Sequence, residues 1–308
     1  MAHNSHCPTR STTRILTCVV GLMLPLAALH TTDAPTKRVS ILTLDFQERT
    51  GFLLSKNGGM ANSGQFIAAR FEGHGTGREN LAIVNDPALG IGRALHYLCG
   101  PQQPGDIKAR QEHYLHVASM NGTFFSEFSI KLDRDFTPVK TKRPDGGPNW
   151  CVLRQWHQSA PESPPIALNI VPGTRDILRW EIIFGDSKGH GTHSRELWKH
   201  KTELDRWYHF RVQWNVSPDD NGRLIVLMSD RKLPRDLTKA DTLFSYAGPI
   251  GYTLKSTPDP AADTKSGHNR RNIREQQGIY QGPHLDPSSH HGYCIGNVAI
   301  YQLATESR

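Results

Sequence analysis

The chain has 308 residues, of which 37% are hydrophobic and 21% charged, with 27 glycines and 20 prolines. This length suits one large β-sandwich or barrel or two small domains, and the composition excludes a fibre and a wholly disordered chain. The formal net charge of +7 predicts attraction to acidic partners, a class that includes nucleic acids, anionic membranes and acidic polysaccharides.

The N-terminus has the pattern of a secretory signal peptide. Two arginines precede an uncharged apolar run, 15–29, that ends in small residues. The run is short for a membrane span and contains Pro25, so we favour a cleaved signal peptide over a retained anchor and expect no stable membrane insertion afterwards. We therefore predict a secreted protein, extracellular or periplasmic, with a signal peptide at 1–28, a linker at 29–38 and a single domain at 39–308.

Cleavage at this position would leave three cysteines in the mature chain, Cys99, Cys151 and Cys294. An oxidising compartment is compatible with one disulfide and one free thiol, and all three pairings stay open. The sequence contains no C-x-x-C, so a thioredoxin-like or zinc-ribbon protein has no support.

The rest of the chain has the pattern of an all-β protein. Short apolar or alternating stretches are separated by Gly, Pro, Asn and Asp, and no long segment keeps a helical period. The clearest pair is 207–216 and 223–228, which flank an Asn-Gly turn and predict a β-hairpin. The predicted strands are 92–98, 112–119, 123–132, 149–156, 166–171, 177–184, 207–216, 223–229 and 292–303.

Strands of this kind favour a β-jelly-roll sandwich of the concanavalin A-like lectin/glucanase type, with two packed antiparallel sheets, over βαβ units. The polar segment 233–274 is predicted to be a long surface loop.

The sequence lacks the motifs of several common classes of enzyme. The sequence has no P-loop, no dinucleotide-binding glycine pattern, no G-x-S-x-G and no H-E-x-x-H. The best match to the carboxylate row of sandwich-fold glucanases is Glu203-Leu-Asp205, which lacks the third acid, so a glycoside hydrolase is disfavoured. Basic residues are spread through loops and not clustered with aromatic residues, so no nucleic-acid partner is expected.

The histidine pairs around His190 and His290 could offer imidazoles to a metal ion. Neither pair has a Cys, Asp or Glu at a recognised ligand spacing, so structural or exposed histidines are favoured and no metal site is predicted.

Two short segments carry candidate site residues. Alternation along a strand places Gln155 and His157 on one face, which fits either a site or an edge histidine beside a packed tryptophan. The same rule places Gln276, Gly278 and Tyr280 together, and Tyr280 fits either a functional residue or a half-buried core aromatic.

Four segments, taken in chain order, resemble those of heparin lyase I-type polysaccharide lyases and their glucuronan lyase-like relatives. They are Gln155-Trp156-His157, the 207–214 strand with its hairpin, Gly278-Ile-Tyr280 and the closing 296–301 strand. The resemblance covers about residues 92–303. The resemblance implies a jelly-roll enzyme that cleaves a uronic-acid polysaccharide by β-elimination and leaves a 4,5-unsaturated uronate end.

The resemblance also implies roles for individual residues. His157 and Tyr280 would be the catalytic acid–base pair, and the substrate-binding residues would be Arg110, Glu112, Gln155 and Gln276. Gln281 stands where the group usually has Arg, and Gln276 and Gln277 replace its usual Lys. These departures weaken the case for a highly sulfated, heparin-like substrate, which would favour more cations.

These residue types suit an elimination. The C5 proton becomes acidic when a donor such as Arg110 or Gln155 neutralises the adjacent carboxylate. His157 is a reasonable base near neutral pH, and Tyr280 can protonate the departing oxygen or serve as both base and acid. No cofactor is required, a structural calcium ion stays open, and we expect a monomer.

Two other functions remain compatible with the sequence. One is a non-catalytic, lectin-like module that binds acidic glycans, and the other, less favoured, is a glycoside hydrolase on the same fold.

Overall fold

The computed structural model describes residues 38–44, 46, 59–60, 66–87, 92–120, 122–158, 163–186, 193–253 and 272–303. Their regular structure is almost entirely extended, as the sequence predicts. The strands are β1 (Arg38–Leu44), β2 (Gly59–Met60), β3 (Phe66–Glu72), β4 (Leu81–Asp86), β5 (Gly92–Cys99), β6 (Ala109–Ser119), β7 (Phe124–Leu132), β8 (Cys151–His157), β9 (Ile166–Ile170), β10 (Ile177–Asp186), β11 (His193–Lys201), β12 (Tyr208–Asn215), β13 (Arg223–Ser229), β14 (Thr242–Ala247), β15 (Gly251–Thr253), β16 (Asn272–Gln281) and β17 (His291–Leu303).

These strands form two stacked sheets. The back sheet has the order β14-β13-β12-β7-β17-β5-β4, with β1 paired to β17. The groove sheet has the order β11-β10-β9-β8-β16-β6-β3-β2, and the short strand β15 joins β10 in parallel. Two packed sheets with neighbours far apart in the chain are the architecture of a β-jelly roll, which confirms the predicted fold class.

The core lies between the two sheets and is rich in aromatic rings. On β12, alternation turns Phe210, Val212 and Trp214 inward, and all three are fully buried. The indole of Trp214 meets that of Trp156 from β8 at 6.3 Å between ring centroids. Burial of each large apolar side chain contributes roughly 1.5–3 kcal/mol, so this layer is a main source of stability.

A buried polar network also connects the two sheets. Arg154 on β8 forms an ion pair with Glu275 on β16, and its Nη1 donates to Gln277 Oε1 at 2.9 Å. Ser126 on the back sheet donates to Glu275 Oε2 at 2.8 Å, and Trp214 Nε1 donates to Ser126 Oγ at 2.9 Å. This network fixes β8 against β16, which are the two strands that carry the predicted catalytic residues.

The predicted hairpin is confirmed, since β12 and β13 pair in register from His209–Ser229 to Asn215–Arg223. The long-loop prediction for 233–274 is wrong in part, because β14 and β15 lie within it and β16 already begins at Asn272. Residues 254–271 lie outside the described residues.

The predicted signal peptide, 1–28, and the linker up to residue 37 also lie outside the described residues, and β1 begins at Arg38. No helix among the described residues is long and apolar enough to cross a membrane. Cys99, Cys151 and Cys294 are described, and all three are free thiols. Cys99 and Cys151 are part of the core between the sheets, whereas Cys294 packs in a separate small cluster with Trp207.

Candidate active site

A cavity of about 730 Å³ opens on the groove sheet. This volume lies in the range of ligand-binding pockets. Residues from six strands, β3, β6, β8, β9, β10 and β16, contribute to its wall. Its charged and polar lining comprises Arg70, Lys108, Arg110, Tyr114, Asn149, Trp150, His157, Ser163, Asn169, Arg179, Glu181, Arg274, Gln276 and Tyr280.

A bulge in β16 presents Tyr280 to the cavity. The pairing of β16 with β8 shifts between Gln277 and Tyr280. Gly278 lies in this shift with φ of +135°, and a Cβ there would come 2.0 Å from the backbone oxygen of Gln111. Only glycine tolerates both conditions, so the Gly-Ile-Tyr sequence is a requirement of the bulge.

Arg110 on β6 lies directly opposite Tyr280, and its guanidinium carbon is 4.2 Å from the centroid of the phenol ring. Its Nε is 3.3 Å from Glu112 Oε2 and 3.6 Å from Glu72 Oε2. The two acids hold the Nε side of the guanidinium while the side chain lines the cavity. Trp150 meets Tyr280 edge-to-face at 5.7 Å, so the phenol is held between a cation and an indole.

Glu112, Gln155 and Gln276 form a layer that supports this pair. Gln155 Nε2 donates to Glu112 Oε1 at 2.5 Å and to Gln276 Oε1 at 3.3 Å. Burial raises the pKa of Glu112, and the charge of Arg110 partly offsets that effect. Gln276 also lines the cavity, whereas Glu112 and Gln155 are fully buried behind its surface.

Arg274 is the cation most available to a ligand. It is half-buried, and its guanidinium carbon lies 5.4 Å from the ring centroid of Tyr114. No carboxylate of the described residues lies within ion-pair distance of it. Burial lowers the pKa of Arg274, the charges of Arg70 and Arg110 lower it further, and those of Tyr114 and Glu112 partly offset these effects. A desolvated guanidinium that pairs with no carboxylate among the described residues favours binding of an anion.

The side of the cavity formed by β9 and β10 carries a net charge closer to zero. Arg179 Nη2 pairs with Glu181 Oε2 at 3.0 Å, and Asn169 Nδ2 donates to the same carboxylate oxygen at 3.2 Å. The lining therefore holds five Arg and Lys side chains against one carboxylate, and the excess positive charge lies on the β3, β6 and β16 side.

His157 and Tyr280 line the same cavity at different positions along the strands. His157 pairs with Arg274, whereas Tyr280 pairs with Val152, five residues earlier on β8. At about 3.3 Å per residue the backbones are about 16 Å apart along the strand direction. Arg110 lies beside Tyr280, and Arg274 lies beside His157.

Four of the six predicted site residues thus line the cavity, namely His157, Tyr280, Arg110 and Gln276, and the other two, Glu112 and Gln155, support it from behind. Sequence reasoning missed Arg70, Arg179, Glu181 and Arg274. Arg179 and Glu181 alternate on a predicted strand, which placed them on one face, but no local pattern showed which strand lies beside which.

Among the described residues that line the cavity, no three His, Cys, Asp or Glu side chains converge as metal ligands. The functional groups of the cavity include guanidinium, ammonium, phenol, imidazole and amide groups together with one carboxylate, that of Glu181, and these groups suit recognition of an anionic, hydroxyl-rich chain and proton transfer.

The fold is a β-jelly-roll sandwich, and the cationic cavity on one of its sheets suits an anionic ligand. Residues 69–282, more than half of the chain, match the family model described as "Polysaccharide lyase". The chain belongs to this family and is a polysaccharide lyase. No curated protein sequence gives a significant match.

Solved structures resemble the fold at low identity. The endo-β-1,4-glucuronan lyase of the fungus Trichoderma reesei aligns at a TM-score of 0.53 and 12% identity, over 76% of this chain and 90% of that one. The marine PL-14 alginate lyase of Aplysia kurodai aligns at 0.47 and 8%, over 87% and 99%. The botulinum neurotoxin serotype C1 binding domain aligns at 0.43 and 12%, over 86% and 49%. The first likeness supports the fold, and the other two say nothing further about this chain.

Proposed function

We propose that this lyase cleaves an acidic, uronate-containing polysaccharide by β-elimination. The observation that carries the proposal is the group of cations in the cavity, with Arg110 packed on Tyr280 and with Arg274 outside ion-pair distance of every carboxylate among the described residues. A polyanion would neutralise these charges. Glucuronan is the first substrate to test, since the solved glucuronan lyase has a similar fold.

The arrangement suits an elimination centred on Tyr280. Arg110 binds the carboxylate of the uronate and stabilises negative charge that spreads from C5 into it. Tyr280 acts as the base and removes the C5 proton through its phenol oxygen, the electron pair forms the C4–C5 double bond, and the C4–oxygen bond breaks. The departing oxygen then takes the proton back from Tyr280. One residue acting as base and then as acid leaves the proton count unchanged.

His157 has a different role in this proposal. Because its backbone lies about 16 Å from that of Tyr280 along the sheet, the two side chains would contact different sugars of one bound chain. His157 and Arg274 bind a uronate distant from the scissile bond. This assignment makes Tyr280 the catalytic residue and His157 a substrate-binding residue.

The experiment follows the ultraviolet absorbance of the unsaturated uronate product with glucuronan, alginate, hyaluronan and chondroitin. Tyr280→Phe should lower kcat at least about 100-fold because it removes the group that moves the proton. His157→Ala should raise KM and leave kcat within about threefold. The matched control is Tyr246→Phe, on the back sheet, which should leave both parameters unchanged.

Two results would contradict the proposal. Retained turnover in Tyr280→Phe would remove Tyr280 from the reaction centre. New reducing ends without ultraviolet absorbance would show hydrolysis in place of elimination.

We also propose that the enzyme is exported, with 1–28 as a cleaved signal peptide. The support is the arginine-flanked apolar run that ends in small residues. N-terminal sequencing of the exported protein tests it, and a mature chain that retains residues 1–28 would contradict it.

A further inference from the structure

A second cluster of titratable side chains lies on the back sheet. Asp133 follows β7, Asp135 lies in the turn after it, His290 precedes β17, and His96 is on β5. None of these residues lines the cavity. No ligand spacing in the sequence indicates this cluster, because Asp133 and Asp135 are more than 150 residues from His290 in the chain.

The distances within this cluster match those between ligands of one metal ion. His290 Nε2 is 3.2 Å from Asp133 Oδ2 and 3.2 Å from Asp135 Oδ1. The ligand atoms of all three residues lie within 4.8 Å of one another. Two atoms bound at 2.0–2.1 Å to a tetrahedral zinc ion lie about 3.3–3.4 Å apart. The observed separations therefore need only small adjustments to enclose such an ion.

The backbone holds these ligands in place without an ion. The backbone N–H of Asp133 donates to the Gly292 oxygen at 3.0 Å. Thr137 clamps His290, because its backbone N–H donates to the His290 oxygen at 2.8 Å and its hydroxyl accepts from the His290 N–H at 2.9 Å. The Thr137 hydroxyl also donates to the His290 oxygen at 3.2 Å, so the two chain segments that carry the ligands are joined by four hydrogen bonds.

Gly292 leaves the room that the cluster occupies. A Cβ at this position would come 2.0 Å from Asp133 Oδ2 and 3.0 Å from His290 Nε2. Any other residue would displace the carboxylate and the imidazole from each other. The φ of Gly292 is not positive, so glycine is needed here for space and not for backbone conformation.

Hydrogen bonding alone satisfies the cluster poorly. The imidazole of His290 offers one Nε2 position to two carboxylates, and those carboxylates repel each other. Asp135 is mostly exposed, with 72% of its side-chain surface accessible, and its only ion-pair partner among the described residues is His290. A divalent cation would bind all three groups at once and leave its open side to water.

We propose that His290, Asp133 and Asp135 bind a Zn²⁺ ion, with water as the fourth ligand and His96 as a positioning residue. The Nε2 of His96 lies 2.8 Å from Asp133 Oδ2 and orients that carboxylate. Imidazole and carboxylate together favour zinc, whereas calcium prefers oxygen ligands alone. The ion would tie the end of β7 to the start of β17, so its role is structural and independent of the cavity.

The test measures zinc directly. The purified full-length chain is loaded with one equivalent of Zn²⁺, dialysed and assayed by elemental analysis, and Co²⁺ is substituted to record the visible absorption of a four-coordinate site. We expect one zinc ion per chain and a higher Tm on loading. His290→Ala and Asp135→Asn should lose the ion, and His96→Gln should weaken its binding about 10- to 100-fold.

The matched control is His74→Ala. His74 is also paired with one carboxylate, at 3.0 Å from Asp106, but with no second acid among the described residues, so this variant should bind zinc as the wild type does. Cys294→Ser is a second control, because Cys294 groups with His96 and Asp133 and not with Asp135 or His290, so this variant should also keep the zinc ion. Asp135 is exposed, so Asp135→Asn tests the proposal even where His290→Ala fails to fold.

Two outcomes would overturn the proposal. One is a chain that keeps no zinc after loading and dialysis, which would make the cluster a set of hydrogen bonds only. The other is equal zinc content in Asp135→Asn, His290→Ala and His74→Ala, which would show general binding by the histidine-rich surface.

Discussion

At the scale of single residues, the cations of the cavity differ in how free they are to bind a ligand. Arg70, Arg110 and Arg179 each contact a carboxylate of the protein, whereas Arg274 packs on the ring of Tyr114 and forms no ion pair with a carboxylate in the part of the chain that the structure describes. A guanidinium already paired with a carboxylate gains less from a second anion. The largest gain on substrate binding is therefore expected at Arg274.

Arg274→Gln should lower kcat/KM for an acidic polysaccharide at least about tenfold, since a hydrogen bond to a charged group contributes about 1.5–3 kcal/mol. The loss should appear mainly in KM, because Arg274 lies away from Tyr280. Initial rates at several substrate concentrations measure it. Arg195→Gln, on the exposed strand β11 of the same sheet, removes the same charge outside the cavity and is the control. Equal losses in both variants would mean that overall charge, and not Arg274, binds the chain.

At the scale of elements, β16 contributes side chains to both the core and the cavity. Its inward residues Glu275 and Gln277 bind Arg154 in the core, while Arg274, Gln276 and Tyr280 face the cavity. The bulge at Gly278 shifts the pairing of β16 with β8 between Gln277, which binds Arg154, and Tyr280, which faces the cavity. The position of Tyr280 in the cavity therefore depends on Gly278, which is not itself part of the cavity lining.

Gly278→Ala should destabilise the protein by about 2–4 kcal/mol, because the new Cβ would lie 2.0 Å from the Gln111 oxygen at a φ of +135°. Urea unfolding measures the loss, and kcat should fall as Tyr280 moves. Gly146→Ala is the matched control, since its φ is +83° and its Cβ would meet nothing within 4 Å, so only the cost of the backbone conformation, about 1 kcal/mol, applies. Similar losses in both variants would show that the close approach at Gly278 relaxes easily.

The elements also show what the sequence could and could not predict. β12 and β13 were predictable because alternating burial and an Asn-Gly turn are local properties. β11 was missed because it is an edge strand with almost no buried side chain, so its residues follow no apolar period. β16 was recognised only as a short piece, since its bulges interrupt the alternation on which the prediction depends.

At the scale of the whole molecule, the site depends on strand order more than on any motif. The sequence predicted His157, Tyr280 and Arg110 through a resemblance, and it could not place Arg70 and Arg274 on adjacent sides of Tyr114, because they are 204 residues apart. The same limit applies to the proposed zinc ligands on the back sheet. Register between distant strands is set by packing of the complete core, which no local pattern contains.

The stability of the whole sandwich should depend on pH through His209, which lies fully buried on β12 with its Nδ1 2.7 Å from Ser129 Oγ. Burial lowers the pKa of His209 from 6.5 to about 4. Between these values the unfolded chain binds a proton that the folded chain does not. The free energy of unfolding should therefore fall as the pH decreases through this window, by up to about 1.4 kcal/mol per pH unit.

His209→Gln removes this titration while keeping a partner for Ser129. Urea unfolding of the wild type and the variant at intervals from pH 4 to pH 8 measures the effect. Above pH 7 the two proteins should differ by a constant amount, because neither state gains a proton at this position. Below pH 6.5 the difference should shrink as the wild type loses its advantage. Parallel curves down to pH 4 would show that His209 takes up its proton in the folded sandwich, and that the core at β12 admits water or a charge.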